Sequence, residues 1–420
     1  VSLIELLQRS FAALPPVWRR GVKALRRSLV RAARSLVWWL RDLRVPVHRI
    51  EREGLRVEFI GRESVDPYVC RLLFGEVLDP APSGSILRWR LPAYLRRAGR
   101  GTDLVYLSVA PGHCWGKLAS MTLDIPSFVI QTLAAPAPGQ DPREVLKNQS
   151  NKNDLNKVRR EGFTYEVRRD GAALERFYRD FYKPFTRSRH GDVAQLLSFS
   201  MFRSEAEGGE LLLVKRGEQP IAGVVSQLRS SVYHNLHNGV LHADPALFVS
   251  GALAAQYYFS IVEASRRGCV RVDLGYSRPF LNNGVLMYKK KWNTVVERDP
   301  TLRRHLLLRV CRWGAGSSAR LQAQPFLVQI GGRFASLIFL GDRINLDDAA
   351  LRSALKKYSY PGVAAMYVVL LDASWARRAD TIREIAPAVP SPVHIIDMAE
   401  VTDTTSWSDV LQARIGSVGP

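Results

Sequence analysis

The stretch from Asn238 to Asn293 constrains the fold more tightly than any other part of the chain. A turn-rich opening leads into a helix-length apolar run, Ala252 to Ala264, that stops at Arg266, Arg267 and Gly268. Basic residues in a last turn followed by Gly mark a helix end. A short β-branched strand follows, Val270 to Leu274, closed by Gly275. A loop with Pro279 and an Asn282-Asn283-Gly284 turn then returns as Tyr288-Lys289-Lys290-Lys291-Trp292. Helix, strand ending in Asp-Leu-Gly, and a basic-aromatic hook predict an α/β unit with a polar cleft at the strand end.

Upstream, residues 142–161 read as a basic helix or helix pair anchored by Leu146, Leu155 and Val158. Phe163–Arg168 is a predicted strand. Leu174–Tyr182 is a predicted helix ending before Pro184, and residues 185–191 a basic loop. A further short helix is expected over Leu196–Arg203. Runs at 211–216, 221–228 and 231–238, joined by short polar turns, predict an antiparallel meander.

The first fifty residues differ. Apolar positions from Trp18 to Leu43 step by threes and fours, which predicts one stripe on a long helix. The rest of that helix is basic, and residues 1–50 hold 11 Lys/Arg against 2 Asp/Glu. An apolar seam with Trp and an Arg-rich face suits an anionic membrane surface at residues 17–44; packing on the protein itself is the alternative. The whole chain of 420 residues carries +21, which asks for an anionic partner: nucleic acid, acidic lipid or a phosphorylated substrate. Its 46% hydrophobic and 24% charged content is that of a soluble globular chain, and its length implies two or three domains.

Four scattered cysteines form no CxxC pair, so a reduced, cytoplasmic protein without a zinc module is expected. No signal-peptide pattern and no run of about 18 apolar residues occur. His113 and Cys114 are neighbours in sequence, which does not make a catalytic pair. His234 and His237, three apart on a predicted strand, should face opposite sides and so cannot share a metal; no metal site is expected.

Residues 142–296 resemble the Fem-like branch of the GNAT superfamily of N-acetyltransferases, which includes acetyltransferase-like proteins of cellulose and exopolysaccharide synthesis. The resemblance rests on Asn153 to Arg160, on Phe177-Tyr178, Phe181-Tyr182 and Thr186-Arg187, on the meander, and on Asp273-Leu274-Gly275 with Tyr288-Lys289-x-x-Trp292. It implies an α/β (α+β) fold with a mixed sheet flanked by helices and tandem GNAT-like domains. The expected segments are a basic amphipathic helical region at 1–50, a degenerate GNAT-like half at 51–134, the acyltransferase domain at 142–300 and an α/β accessory domain at 301–420. Within the last, Gly314–Ser318 reads as a linker or turn, Pro325–Leu340 as a Gly-Gly hairpin, and 364–398 as strand, helix, strand.

The implied activity is transfer of an acyl or aminoacyl group to an amine of a cell-envelope precursor or exopolysaccharide. No tightly bound cofactor is implied; the donor is aminoacyl-tRNA or acyl-CoA. A peripheral position at the inner face of the cytoplasmic membrane is expected. Such transfer needs an amine, donors to the oxyanion and a proton acceptor, but no covalent nucleophile. Asp273, Lys289 and His237 are the candidate catalytic residues. Asn238, Lys152, Arg159, Arg160, Arg187, Tyr288 and Trp292 are candidates for substrate binding, and Ser250 and Gly251 for donor binding. Residues 248–253 lack the Gln/Arg and the second glycine position of the loop that cradles the pyrophosphate of acetyl-CoA. A catalytically inactive scaffold at a membrane is the alternative function.

Overall fold

The computed structural model describes residues 43–61, 66–98, 101–109, 115–146, 149–299, 305–341, 346–398, 407, 410 and 411. The expected amphipathic helix before residue 43, and His113 and Cys114, lie outside them.

The chain opens with β1 (Arg44–Arg52), β2 (Leu55–Gly61), α1 (Pro67–Phe74) and β3 (Gly84–Leu87). A 3-10 turn (Arg88–Arg90), α2 (Leu91–Ala98), β4 (Leu104–Val109), α3 (Trp115–Ala119), β5 (Leu123–Pro126) and β6 (Val129–Ala134) follow. Residues 44–50, expected to belong to the N-terminal helical region, are therefore a strand. Val45 and Val47 alternate into the core, and β-branched residues around Pro46 suit a strand rather than a helix.

Next come α4 (Pro142–Val145), α5 (Gln149–Arg160), β7 (Phe163–Arg168) and α6 (Gly171–Phe177). A π turn (Tyr178–Tyr182) runs straight into α7 (Lys183–His190), so Pro184 does not end the helix and residues 185–190 are not a loop. The wide turn, with Lys183 N donating to Tyr178 O, makes room at the point where a proline ring would clash with an α-helical carbonyl. Then α8 (Phe199–Glu205) leads to the meander β8 (Glu210–Arg216), β9 (Gln219–Arg229), β10 (Val232–Val240), antiparallel as expected. The region ends with α9 (Pro245–Ser250), α10 (Ala252–Arg266), β11 (Arg271–Ser277), α11 (Gly284–Lys290) and β12 (Val295–Glu297).

The last part holds β13 (His305–Val310), α12 (Ala315–Ala323), β14 (Phe326–Ile330), β15 (Arg333–Leu340) and α13 (Asp348–Tyr358). It closes with β16 (Val363–Leu370), α14 (Ala373–Ala376), α15 (Ala379–Ile385) and β17 (Val393–Asp397). The expected linker at 314–318 is instead the start of α12. Ser317 Oγ accepts from Gly314 N at 3.0 Å at the start of that helix.

Three mixed or antiparallel sheets result, flanked by helices. Their orders are β3-β1-β2-β4-β13-β5, β12-β6-β11-β10-β9-β8-β7 and β14-β15-β16-β17. The first two follow one plan. An antiparallel hairpin (β1–β2, β9–β10) is followed by a crossover to a parallel strand (β4, β11), beyond which two antiparallel strands complete the sheet. The two sheets also exchange strands. β6, which ends the first half in sequence, lies beside β11, while β13, which follows the second half, lies between β4 and β5.

The third sheet holds the hook after β11. Lys290 Nζ donates to the last carbonyls of α13, Lys356 O at 3.1 Å and Lys357 O at 2.8 Å. Asn282 Oδ1 accepts from Lys357 and from the Tyr358 hydroxyl, both at 3.0 Å, and Val296 N donates to Pro361 O at 2.8 Å. At Gly362, with φ of +86°, a Cβ would stand 2.3 Å from Val296 O. Gly362→Ala should therefore cost about 3 kcal/mol, from left-handed backbone and overpacking together. Chemical denaturation measures it; a loss under about 1 kcal/mol would show that the contact yields easily.

Candidate functional site

The parallel strands of the two similar sheet plans behave differently. β2 and β4 stay paired from Val57↔Leu104 to Gly61↔Ser108. β10 and β11 pair only at Val232↔Arg271, Tyr233↔Val272 and His234↔Asp273, then part. Beyond that point β10 follows β9 to Val240 and β11 follows β6 to Ser277. Each carries an irregularity there, between Asn235 and His237 and between Asp273 and Tyr276. Bulges bend strands, and two on adjacent strands open a fork. Gly275 sits where β11 still lies against β10 at the base of the fork: its φ is +80°, and a Cβ would lie 2.8 Å from Asn235 O.

At the base of the fork His234 Nδ1 lies 3.0 Å from Asp273 Oδ2, and Asp273 Oδ1 accepts from Gly275 N at 2.8 Å. Asp273 is buried while His234 keeps 28% of its side chain exposed. Lys289, on α11, is buried under the β11 end, where Nζ donates to Gly275 O and Tyr276 O at 2.8 Å each. Burial pulls its pKa down to about 7, opposed by the nearby Asp273 carboxylate.

The bulge on β10 overturns the expected facing of the histidines. His234 stands opposite Gln227 and His237 opposite Val225 on β9, so one extra residue puts both on the same side of the sheet. They still serve different partners. His237 Nε2 lies 3.0 Å from Glu205 Oε2, between the rings of Tyr182 and Phe202 at 5.3 and 4.8 Å, and burial lowers its pKa. It is not joined to Asp273 or Lys289. No group of three or more His, Cys, Asp or Glu among the described residues is placed to hold a metal.

On the α10 side of β10, Asn238 Oδ1 accepts from Gln256 at 2.6 Å and its amide reaches the Tyr257 hydroxyl at 3.4 Å. The Tyr257 ring packs tilted against Tyr288 and Trp292, with ring centres 5.6 and 5.8 Å away. Trp292 is fully buried, so it anchors the hook, whereas Tyr288 is half-buried beneath Lys291, whose Nζ lies 3.8 Å from the ring centre. Lys152, Arg159 and Arg160 occupy the solvent side of α5, whose buried face is Asn151, Leu155 and Val158. Arg187 is exposed on α7. None of these four contacts Asp273, His234 or Lys289. Ser250 Oγ donates to Leu247 O at 3.0 Å, and Gly251 is the left-handed residue that ends α9. The start of α10 is covered by Lys157, whose Nζ donates to Val249 O at 3.2 Å.

Sequence reasoning missed two further groups. One is His234, whose register with Asp273 is a property of the sheet and not of either segment alone. Arg278 follows β11 and lies between the rings of Tyr68 and Phe128 at 5.0 and 4.4 Å, with NH1 3.2 Å from Asp66 Oδ2. It places a guanidinium where the two halves meet. Exposed Arg71, through NH1 to His190 O at 3.3 Å, brings α1 against the end of α7 beside it.

No family model and no curated protein matches the chain. Among solved structures it is similar to the C-terminal domain of a protein assigned as a lysylphosphatidylglycerol synthetase from Agrobacterium fabrum, at 12% identity and a TM-score of 0.32, covering 65% of this chain and 82% of that one. It is similar to FemX at 12% identity and a TM-score of 0.34, covering 62% and 83%. A GCN5-related N-acetyltransferase from Sphaerobacter thermophilus gives 13%, 0.28, 64% and 77%.

Proposed function

We propose that the chain is an acyltransferase of the GNAT type that moves an acyl or aminoacyl group onto an amine, with the β10–β11 fork as its active site. The observation that carries this reading is the fork itself, with a His–Asp pair in register at its base. Ligands favour the carboxyl ends of parallel strands, where this fork opens.

His234 is the proton acceptor. Asp273 takes the Nδ1–H, which fixes the tautomer and leaves Nε2 free to receive a proton. The acceptor amine attacks the acyl carbonyl and gives its proton to Nε2. The bond to the donor's oxygen or sulfur then breaks, and the leaving group takes that proton back. Lys289 is a positioning residue: two of its N–H bonds go to Gly275 O and Tyr276 O, so it holds the β11 limb of the fork in place. Arg278, paired with Asp66 and held between Tyr68 and Phe128, ties the end of β11 to α1 beside the fork.

The absence of the Gln/Arg and of the second glycine from residues 248–253 supports aminoacyl-tRNA as donor over acyl-CoA. The acceptor in this reading is an amine of an envelope precursor or exopolysaccharide. The test is to supply labelled aminoacyl-tRNA or acyl-CoA with amine acceptors from an envelope extract. Ribonuclease-sensitive labelling is expected. Thiol release from acyl-CoA would move the donor to coenzyme A, and transfer from neither would sink the assignment.

A further inference from the structure

Independently of the chemistry at the fork, we propose that the edge of the first sheet formed by β3, the Arg88–Arg90 turn and α2 is a docking face for an anionic lipid bilayer. Trp89 stands 55% exposed at the start of α2, which is unusual for so large an apolar side chain. α2 buries Leu91 and Leu95 against Val45, Val47 and Leu107, and turns Ala93, Arg96 and Arg97 outward. Arg90 is exposed beside Trp89. Arg90, Arg96 and Arg97 make no ion pair or hydrogen bond among the described residues. From Gly84 to Thr102 the sequence has five arginines and no acidic residue. An indole beside the unpaired guanidiniums of Arg90, Arg96 and Arg97 matches the interface of an anionic bilayer, where the ring sits among headgroups and the arginines meet phosphate.

A cleft of about 430 Å³ opens beside α2, lined by Arg49, Arg56, Glu58, Tyr94 and Arg97 among others. Its carboxylates are already matched, Glu58 by Arg49 at 2.9 Å and Glu51 by Arg56 at 2.8 Å. Arg97 is left to meet a headgroup phosphate there.

Charge separates the possible occupants. The described residues begin at this edge, where Arg88 N donates to Leu43 O at 3.0 Å, and residues 1–42 precede them in sequence. They carry nine Lys/Arg and only Glu5 and Asp42 as acids, so like charge opposes their covering the face themselves. The same charge, with Trp18, Trp38 and Trp39, adds to attraction towards an acidic surface.

The test is sedimentation of the whole chain with vesicles of phosphatidylcholine alone, or of phosphatidylcholine mixed with phosphatidylglycerol. Binding is expected only to the mixed vesicles and should fall with salt. R90A/R96A/R97A should lower that partition about a hundredfold, and Trp89→Ala should weaken it further. Unchanged far-ultraviolet dichroism shows that the variants are folded. Variants that partition like the parent would overturn the docking face, leaving residues 1–42 as the binder. A parent that ignores both vesicles would also overturn it, as would one that binds tRNA through these arginines but not lipid.

Discussion

Changing His234 to Gln should lower turnover by roughly 10²- to 10⁴-fold, the usual contribution of a positioned general base. The substitution keeps the size of the side chain and a hydrogen bond to Asp273, so folding should change little. Asp273→Asn should give a loss of similar order by a different route, because an amide no longer fixes the imidazole tautomer. His237→Gln is the control, since His237 meets Glu205 on α8 and not Asp273. A His234 variant within about threefold of the parent would remove the base from the mechanism and leave the fork as a binding cleft alone.

Lys289→Met should abolish a pH dependence of stability on the order of 4 kcal/mol. In the folded chain burial holds the Lys289 pKa at about 7, against an ordinary 10.5. Below pH 7 both folded and unfolded chains carry the proton, and the buried charge is unfavourable. Between pH 7 and 10.5 only the unfolded chain keeps it, so stability rises with pH across that window and is lost as pH falls through 7. Lys290 acts in the same direction from about 8, again through burial, so some slope should remain in the variant. Denaturant unfolding of both chains at several pH values measures the difference. Equal slopes would mean that the two carbonyls keep Lys289 charged throughout.

Local signals explain what the sequence revealed. Gly331-Gly332 made the β14–β15 hairpin legible, and short polar turns did the same for the meander. Asp273 stands out in the sequence as a carboxylate two residues before Gly275, and Lys289 as part of the Tyr288-Lys289-x-x-Trp292 pattern. Register, however, is invisible along one chain. Whether residue 234 lies opposite 273, and whether a bulge reverses the facing of His237, depends on contacts between segments far apart. Pro184 misled for a related reason: the rule against interior proline assumes α-helical spacing, which the π turn suspends. In β1, basic residues continued the pattern of the preceding stretch and hid an alternation only nine residues long.

The exchange of β6 and β13 has a consequence for biosynthesis. In the first sheet β5 is attached only through β13, and β13 is the strand beside β4. As the chain leaves the ribosome, that sheet stays unfinished until residues 305–310 have emerged, some 180 residues after β5. Meanwhile β4 presents a hydrogen-bonding edge rich in Leu and Val. Long-range closure of this kind is slow, and intermediates with open edges aggregate. A nascent chain stalled or cleaved before residue 305 should therefore call on chaperones heavily. Expression trials that cut the gene between the halves would produce two insoluble pieces, which become soluble only when synthesised together.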